Sequence, residues 1–275
     1  MKANNYIKFL HSSNFKPSDP KPSLKVPPLW WSQTKKNYPN YADGRNTLGT
    51  SKKCVPVLDA LSQGYIIPLP CDLEVFYQDC YNIVKPDDTP AIGEGYYLKH
   101  EIDNGIALKI PFETKIVEVG PKPVFRWRDE FDGMHYLVGF HDKKQVGAFH
   151  QGRFELFKFM NPWIIQTPEG VSCRFTTPVN RDDLPFQLIE GVVDTDTYYQ
   201  EVHFPFIWLG GPTEEPTVLK KGTPLCQVIP FVRTDFELEI GVWDDNKRNQ
   251  VLNNINSHLE DGYRREYWHK KEKKE

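Results

Sequence analysis

Two carboxylates one residue apart, Asp194 and Asp196 in the segment GVVDTDTYYQ, have the type and spacing that do chemistry. Read as a strand, the segment sends both side chains to one face, about 7 Å apart. Such a pair can hold a divalent cation, or take a water proton and aim the oxygen. A solvated polar face capped by turn donors gives the same pattern. His135, His141 and His150 stand near Asp129, Glu130, Asp132 and Asp142, ligand types for zinc or iron. They lack an H-E-x-x-H or paired-cysteine spacing, and scattered surface histidines are the default. Cys173 or Ser172 with His203 would make a nucleophile and base, without a strand-turn-helix elbow to present it. Arg181 with Asp182 and Asp183 reads as a loop ion cluster, worth little in water. The C-terminal YRREYWHKKEKKE alternates aromatic and basic groups. That pattern can grip a single nucleic-acid strand, and it equally suits a solvated helix end that buries Tyr263, Tyr267 and Trp268.

Short strands must position these residues. In the second half, residues 163–167, 171–176, 186–193, 198–204, 217–219 and 225–232 are strand candidates, with Gly170 placed to accept positive φ in the turn Pro168-Glu169-Gly170. Residues 65–69, 73–77, 136–140 and 154–159 are earlier candidates, and Pro68 and Pro70 argue for an edge or a bulge. The apolar runs IALKI and KIVEV and the aromatic VFRWRDEFD lie between these. Residues 55–63 suit a helical turn or two closed by Gly64. Nothing alternates strands with long helices, which disfavours a parallel α/β sheet. The first 45 residues read as an extended arm, rich in proline over 16–28 and anchored by Leu29, Trp30 and Trp31. Residues 46–236 form the β-rich domain, with its core at 161–233. Residues 237–275 form a helical segment, with Val251, Leu252, Ile255 and Leu259 at helical spacing.

Composition narrows the function. The chain has 275 residues, 34 Lys and Arg against 37 Asp and Glu, and a formal charge of −3. That balance gives no global field for nucleic acid or an anionic membrane. Aromatics reach 13 %, enough to build a core despite lean aliphatic content. Five scattered cysteines, without a C-x-x-C pair, suit reduced thiols in a cytosolic protein. No signal peptide or run of ~20 apolar residues is present, so a membrane partner is not expected.

The order P-x-G, G-V-V-D-x-D and K-G-T-P-x-x-Q-V-I-P over residues 163–232 resembles the dUTPase and dCTP deaminase superfamily. The resemblance implies a β-clip or distorted jelly-roll fold. It also implies that Asp194 contacts a deoxyribose and orients the attacking water, with Asp196 beside it. Gln227 matches the Gln of the later strand that supports the site in that superfamily, and Tyr198 and Arg181 are further candidate ligand-binding residues. The chain departs from that family in lacking the G-R-S-S phosphate grip and the C-terminal glycine-rich arm, and Thr197 displaces the aromatic of the central motif. A longer resemblance, over residues 29–233, rests on KKCVPVLDALSQGYIIPLPCDLEV, FMNPWIIQTPEG, TTPVNRDDLPF, GVVDTDTYYQEVHFPF and KKGTPLCQVIPF. These look like a domain-of-unknown-function family encoded by tailed bacteriophages of marine bacteria and cyanobacteria.

The expectation is therefore a mostly β, antiparallel domain, β-clip or jelly-roll-like, with an N-terminal arm and a C-terminal helix. It would be a phage-encoded binding or structural module in the host cytoplasm or the virion, with no cofactor. Such folds often form trimers or other homo-oligomers, and a nucleotide or other phage proteins are further partners. The alternative is a nucleotide hydrolase or deaminase-like enzyme that uses Asp194 and magnesium.

Overall fold

The computed structural model describes residues 6–38, 48–87, 96–103, 113–127, 137–141, 156–258 and 261–269. It is mostly β, built from antiparallel sheets, with helix at its C-terminal end. The early strands are β1 (Lys8–Leu10), β2 (Lys21–Pro22), β3 (Asn37–Tyr38), β4 (Leu48–Gly49), β5 (Tyr65–Pro68), β6 (Leu73–Val84), β7 (Tyr97–Leu98) and β8 (Lys115–Trp127). Then come β9 (Val138–Phe140), β10 (Leu156–Phe159), β11 (Ile164–Gln166), β12 (Val171–Thr176), β13 (Phe186–Leu188), β14 (Gly191–Val193), β15 (Phe204–Trp208), β16 (Thr217–Leu219) and β17 (Pro224–Val232). Two compact units interleave along the chain. One comprises Met1–Lys21, Gly64–Pro178 and Asp183–Val232, and the other Pro22–Gln63, Val179–Asp182 and Arg233–Glu275.

In the first unit, one sheet runs β14-β12-β17-β5-β2 and another β13-β15-β10-β9, while β6 carries β16 and β7 on one path and pairs β8 along its length. Alternation along the strands decides what turns inward. Cys173 and Phe175 of β12 enter the core with Cys226 and Val228 of β17 and Ile67 of β5. Phe157, Phe159, Phe186, Phe204 and Phe206 of the second sheet join the same cluster. The Phe159 and Phe206 rings stack at 4.0 Å, and Phe125 of β8 meets Phe157 edge-on at 4.7 Å. Aromatic rings thus supply the buried volume that the lean aliphatic content does not. Gly64, with φ of +61°, lets the chain enter β5 against β17; a Cβ there would lie 1.9 Å from the Val228 carbonyl oxygen.

Several strands differ from the sequence reading, for physical reasons. The runs KIVEV and VFRW fuse into β8, because Gly120 at φ +73° absorbs a bulge opposite Cys80 and Tyr81. Pro121 and Pro123 within β8 share one parity on a strand that, among the described residues, pairs β6 alone, so both can turn their missing N–H away from the ladder. Pro68 faces Pro224 where β5 and β17 shift register, the bulge that the prolines announced. Residues 198–203 form no strand; β15 begins at Phe204 and runs through Pro205 to Trp208. The run 186–193 divides into β13 and β14, which belong to different sheets.

The second unit holds the helices α1 (Leu29–Gln33), α2 (Val55–Ser62), α4 (Asp245–Asn256) and α5 (Gly262–Glu266), while α3 (Lys99–Asp103) belongs to the first. The Asp244 side chain caps α4 by accepting from the Asn246 and Lys247 amides at 2.8 and 3.1 Å. The indole of Trp30 donates to the Asn180 carbonyl at 2.7 Å, and that of Trp268 to Asp59 Oδ2 at 3.0 Å. Between β17 and α4 the chain is irregular, and Phe236, Leu238, Ile240 and Val242 there are 87–100 % exposed. Among the described helices, none is long and apolar enough to cross a membrane.

Candidate functional site

The acidic segment begins as an edge strand. β14 pairs β12 with Val192 opposite Arg174 and Val193 opposite Cys173, and then the chain turns. The Thr197 and Tyr198 amides donate to the Asp194 carbonyl at 3.1 and 2.9 Å. Asp194 and Asp196 therefore lie on a turn, and the expectation that they share a strand face is corrected. The cause is Thr195, which is 2 % exposed. Its hydroxyl lies 2.8 Å from that of Thr167 and donates to Cys173 Sγ at 3.3 Å, which draws the middle of the motif inward.

The two carboxylates flank this anchor. Asp194 Oδ1 accepts from the Ser172 hydroxyl at 2.6 Å, and Asp196 Oδ2 accepts from the Gly170 amide at 2.9 Å. Gly170 takes φ of +79° in the expected turn. Together these bonds tie the acidic turn to β12 and to the turn that precedes it. Charge-assisted bonds of this kind fix loop geometry more firmly than neutral ones.

Gln227 shares a sheet face with Ser172, the hydroxyl partner of Asp194. It lies opposite Thr176 and is 1 % exposed in the middle of β17. Ser172, the partner of Asp194, is four residues from Thr176 along β12, about 13 Å of strand rise. Between them Arg174 pairs with Glu190, whose Oε1 also accepts from the Thr176 hydroxyl at 2.6 Å. The Thr176 bond first, and Arg174 second, hold the Glu190 carboxyl below the usual range. Tyr198 is 47 % exposed at the end of the acidic turn. Arg181 belongs to the second unit, where its guanidinium donates to the Val26 carbonyl.

Neighbouring motifs are also occupied in holding the fold. Asn161 Nδ2 donates to the Trp163 carbonyl at 2.8 Å, and its Oδ1 accepts from the Trp163 amide. The Asn161 amide donates to Nδ1 of His203 at 3.2 Å, so His203 is engaged with the NPW turn. Cys173 faces the core with no exposure, and burial pushes its thiol pKa up, contrary to what a nucleophile needs. His141 is described through its backbone bond to Leu156; His135, His150, Asp129, Glu130, Asp132 and Asp142 lie outside the described residues. Among the described residues no group of three or more His, Cys, Asp or Glu is placed to hold a metal ion.

Sequence reasoning missed a convergence in the second unit. Trp31, Lys52, Lys53, Arg264 and Arg265 line one cavity of about 540 Å³. The Trp pair and the basic C-terminal run each carry a signal in the sequence, but their proximity is set by the fold over more than 200 residues. Compared with known protein families and with curated proteins, the sequence matches none.

Proposed function

We propose that this chain is a non-catalytic binding or structural module on a dUTPase-like β scaffold, of the β-clip or distorted jelly-roll kind. In this reading it is phage-encoded and works in the host cytoplasm or the virion. One observation carries the choice of module over enzyme: Asp194 and Asp196 spend carboxylate oxygens on Ser172 and Gly170, at the two ends of a turn staple. Phosphoryl chemistry needs donors gathered around the reacting oxygen, and the Arg181 guanidinium donates to the Val26 carbonyl. The test is incubation with a panel of deoxynucleoside triphosphates and magnesium. No pyrophosphate release is expected, while a bound ligand raises the melting temperature. Release that Asp194→Asn abolishes overturns the reading in favour of a magnesium-dependent hydrolase. Mass spectrometry of purified particles separates a virion role from one in the host cytoplasm.

Self-association belongs to the same proposal. Phe236, Leu238, Ile240 and Val242 alternate with Asp235, Glu237 and Glu239, the pattern of a half-buried strand, yet all four apolar side chains lie in solvent. A second copy that adds this run to a sheet edge would cover them, in a trimer or another closed homo-oligomer. Light scattering on the full chain should give an oligomer, and the triple variant Phe236→Ser, Leu238→Ser, Ile240→Ser a monomer. A monomeric parent chain removes self-association from the reading.

A further inference from the structure

We infer that the second unit carries a groove for a nucleoside phosphate, in which cations hold the phosphate and aromatic faces take the base. The inference rests on the binding-module reading and names its ligand chemistry. The cavity of about 540 Å³ gathers Lys36, Lys52, Lys53, Arg264 and Arg265 around Trp31. Among its described lining residues Asp261 is the sole carboxylate, and it is joined to Arg265 Nε at 2.8 Å. Among the described lining residues five cations stand beside this one anion, on a chain whose total charge is −3. Like charges brought together this way repel, and a bound polyanion relieves that repulsion.

The aromatic wall is built to receive a flat ring. The Trp30 indole is pinned to the Asn180 carbonyl, and Trp31 packs against it at 5.7 Å between ring centres, so the pair is held at a fixed angle. Lys52 lies 5.7 Å over the Trp31 ring and donates to the Thr34 carbonyl at 3.2 Å, which seats a charge above that ring. A second cavity of about 460 Å³ shares Lys53, Asp261 and Arg264 with the first and is lined by Tyr263, which is 46 % exposed. In this inference the two cavities, which share a wall, act as one trough with Trp31 in one part and Tyr263 in the other. Alternating stacking faces and backbone-tracking charge is the arrangement that grips nucleotides without reading their sequence.

A free nucleotide and a single nucleic-acid strand present the same chemistry, so both are probed with the full chain. Fluorescence anisotropy of a labelled oligothymidylate 12-mer and calorimetry with deoxythymidine triphosphate are run at 50 and 200 mM salt. The expected result is binding of at least one probe. For the strand, affinity falls with a log–log salt slope of roughly −2 to −3, as contact with about four phosphates requires. Lys52→Glu with Arg264→Glu weakens binding at least tenfold, while Lys115→Glu in the first unit leaves it unchanged. Trp31→Ala weakens binding and keeps the salt slope, and an unchanged melting temperature guards each variant against misfolding. Failure of both probes to bind at 50 mM salt, or equal affinity in the double variant, overturns the groove while the module reading stands. Hydrolysis of the triphosphate overturns the module reading and leaves the groove in place.

Discussion

His203 accepts the Asn161 amide proton on Nδ1, so the ring fits its place as the neutral tautomer protonated on Nε2. Burial foremost, and Lys158 next, hold its pKa below the ordinary value, against an opposing pull from Glu201. A histidine whose folded pKa is depressed adds stability above its unfolded pKa, about 6.5, and that stability is lost as pH falls. The urea midpoint should therefore drop between pH 7.5 and 5.5, and His203→Gln should reduce that drop. A slope identical in the variant would assign the acid sensitivity elsewhere. Asp196 makes a different prediction. Asp196→Ala leaves the Gly170 amide without its partner and should cost about 1–2 kcal/mol in chemical denaturation. The preceding turn, with its positive φ at Gly170, should lose protection in amide exchange. Asp194 is the better handle on function, because its partner Ser172 is a hydroxyl that Asp194→Asn can still accept from.

At the scale of elements, the strands that announced themselves were those with clean punctuation. The residues 171–176 and 217–219 were legible to their ends; Gly170 immediately precedes the first, and Gly222 lies in the turn after the second. β15 escaped notice because Pro205 lies inside it, a residue that lowers any strand expectation, and Tyr198, Tyr199 and Val202 to its N-terminal side drew the prediction upstream. The acidic turn was hidden for another reason. Thr195 is small and polar, and nothing local says that its side chain, rather than those of the flanking carboxylates, is the buried one. The long-range contacts with Thr167 and Cys173 decide it. Gly64 was legible as a helix stop, but its second role was not. Gly64→Ala would place a Cβ within 1.9 Å of the Val228 carbonyl and force a left-handed backbone on alanine. It should cost roughly 2–4 kcal/mol, read from the urea midpoint, with β5 and β17 the strands that lose exchange protection. A near-neutral result would mean that the two strands can part without loss.

Across the whole molecule, the five cysteines divide sharply. Cys71, Cys80, Cys173 and Cys226 are buried, and Cys54 is exposed. Burial pushes the Cys80 thiol up to about 11 and raises those of Cys173 and Cys226, so all three stay protonated and unreactive near neutral pH. Brief alkylation of the native protein should add one label by intact mass, and alkylation in denaturant five. A native count above one would show that the core opens on the timescale of labelling. The single reactive thiol also has an address. Cys54 lines the second cavity together with Lys53 and Arg264, both of which it shares with the cationic one. An environment-sensitive dye coupled to the unaltered sequence would consequently sit at the rim of the trough. Occupancy could then be followed optically in real time, with no engineered attachment point and with the other four thiols serving as an internal clock for unfolding.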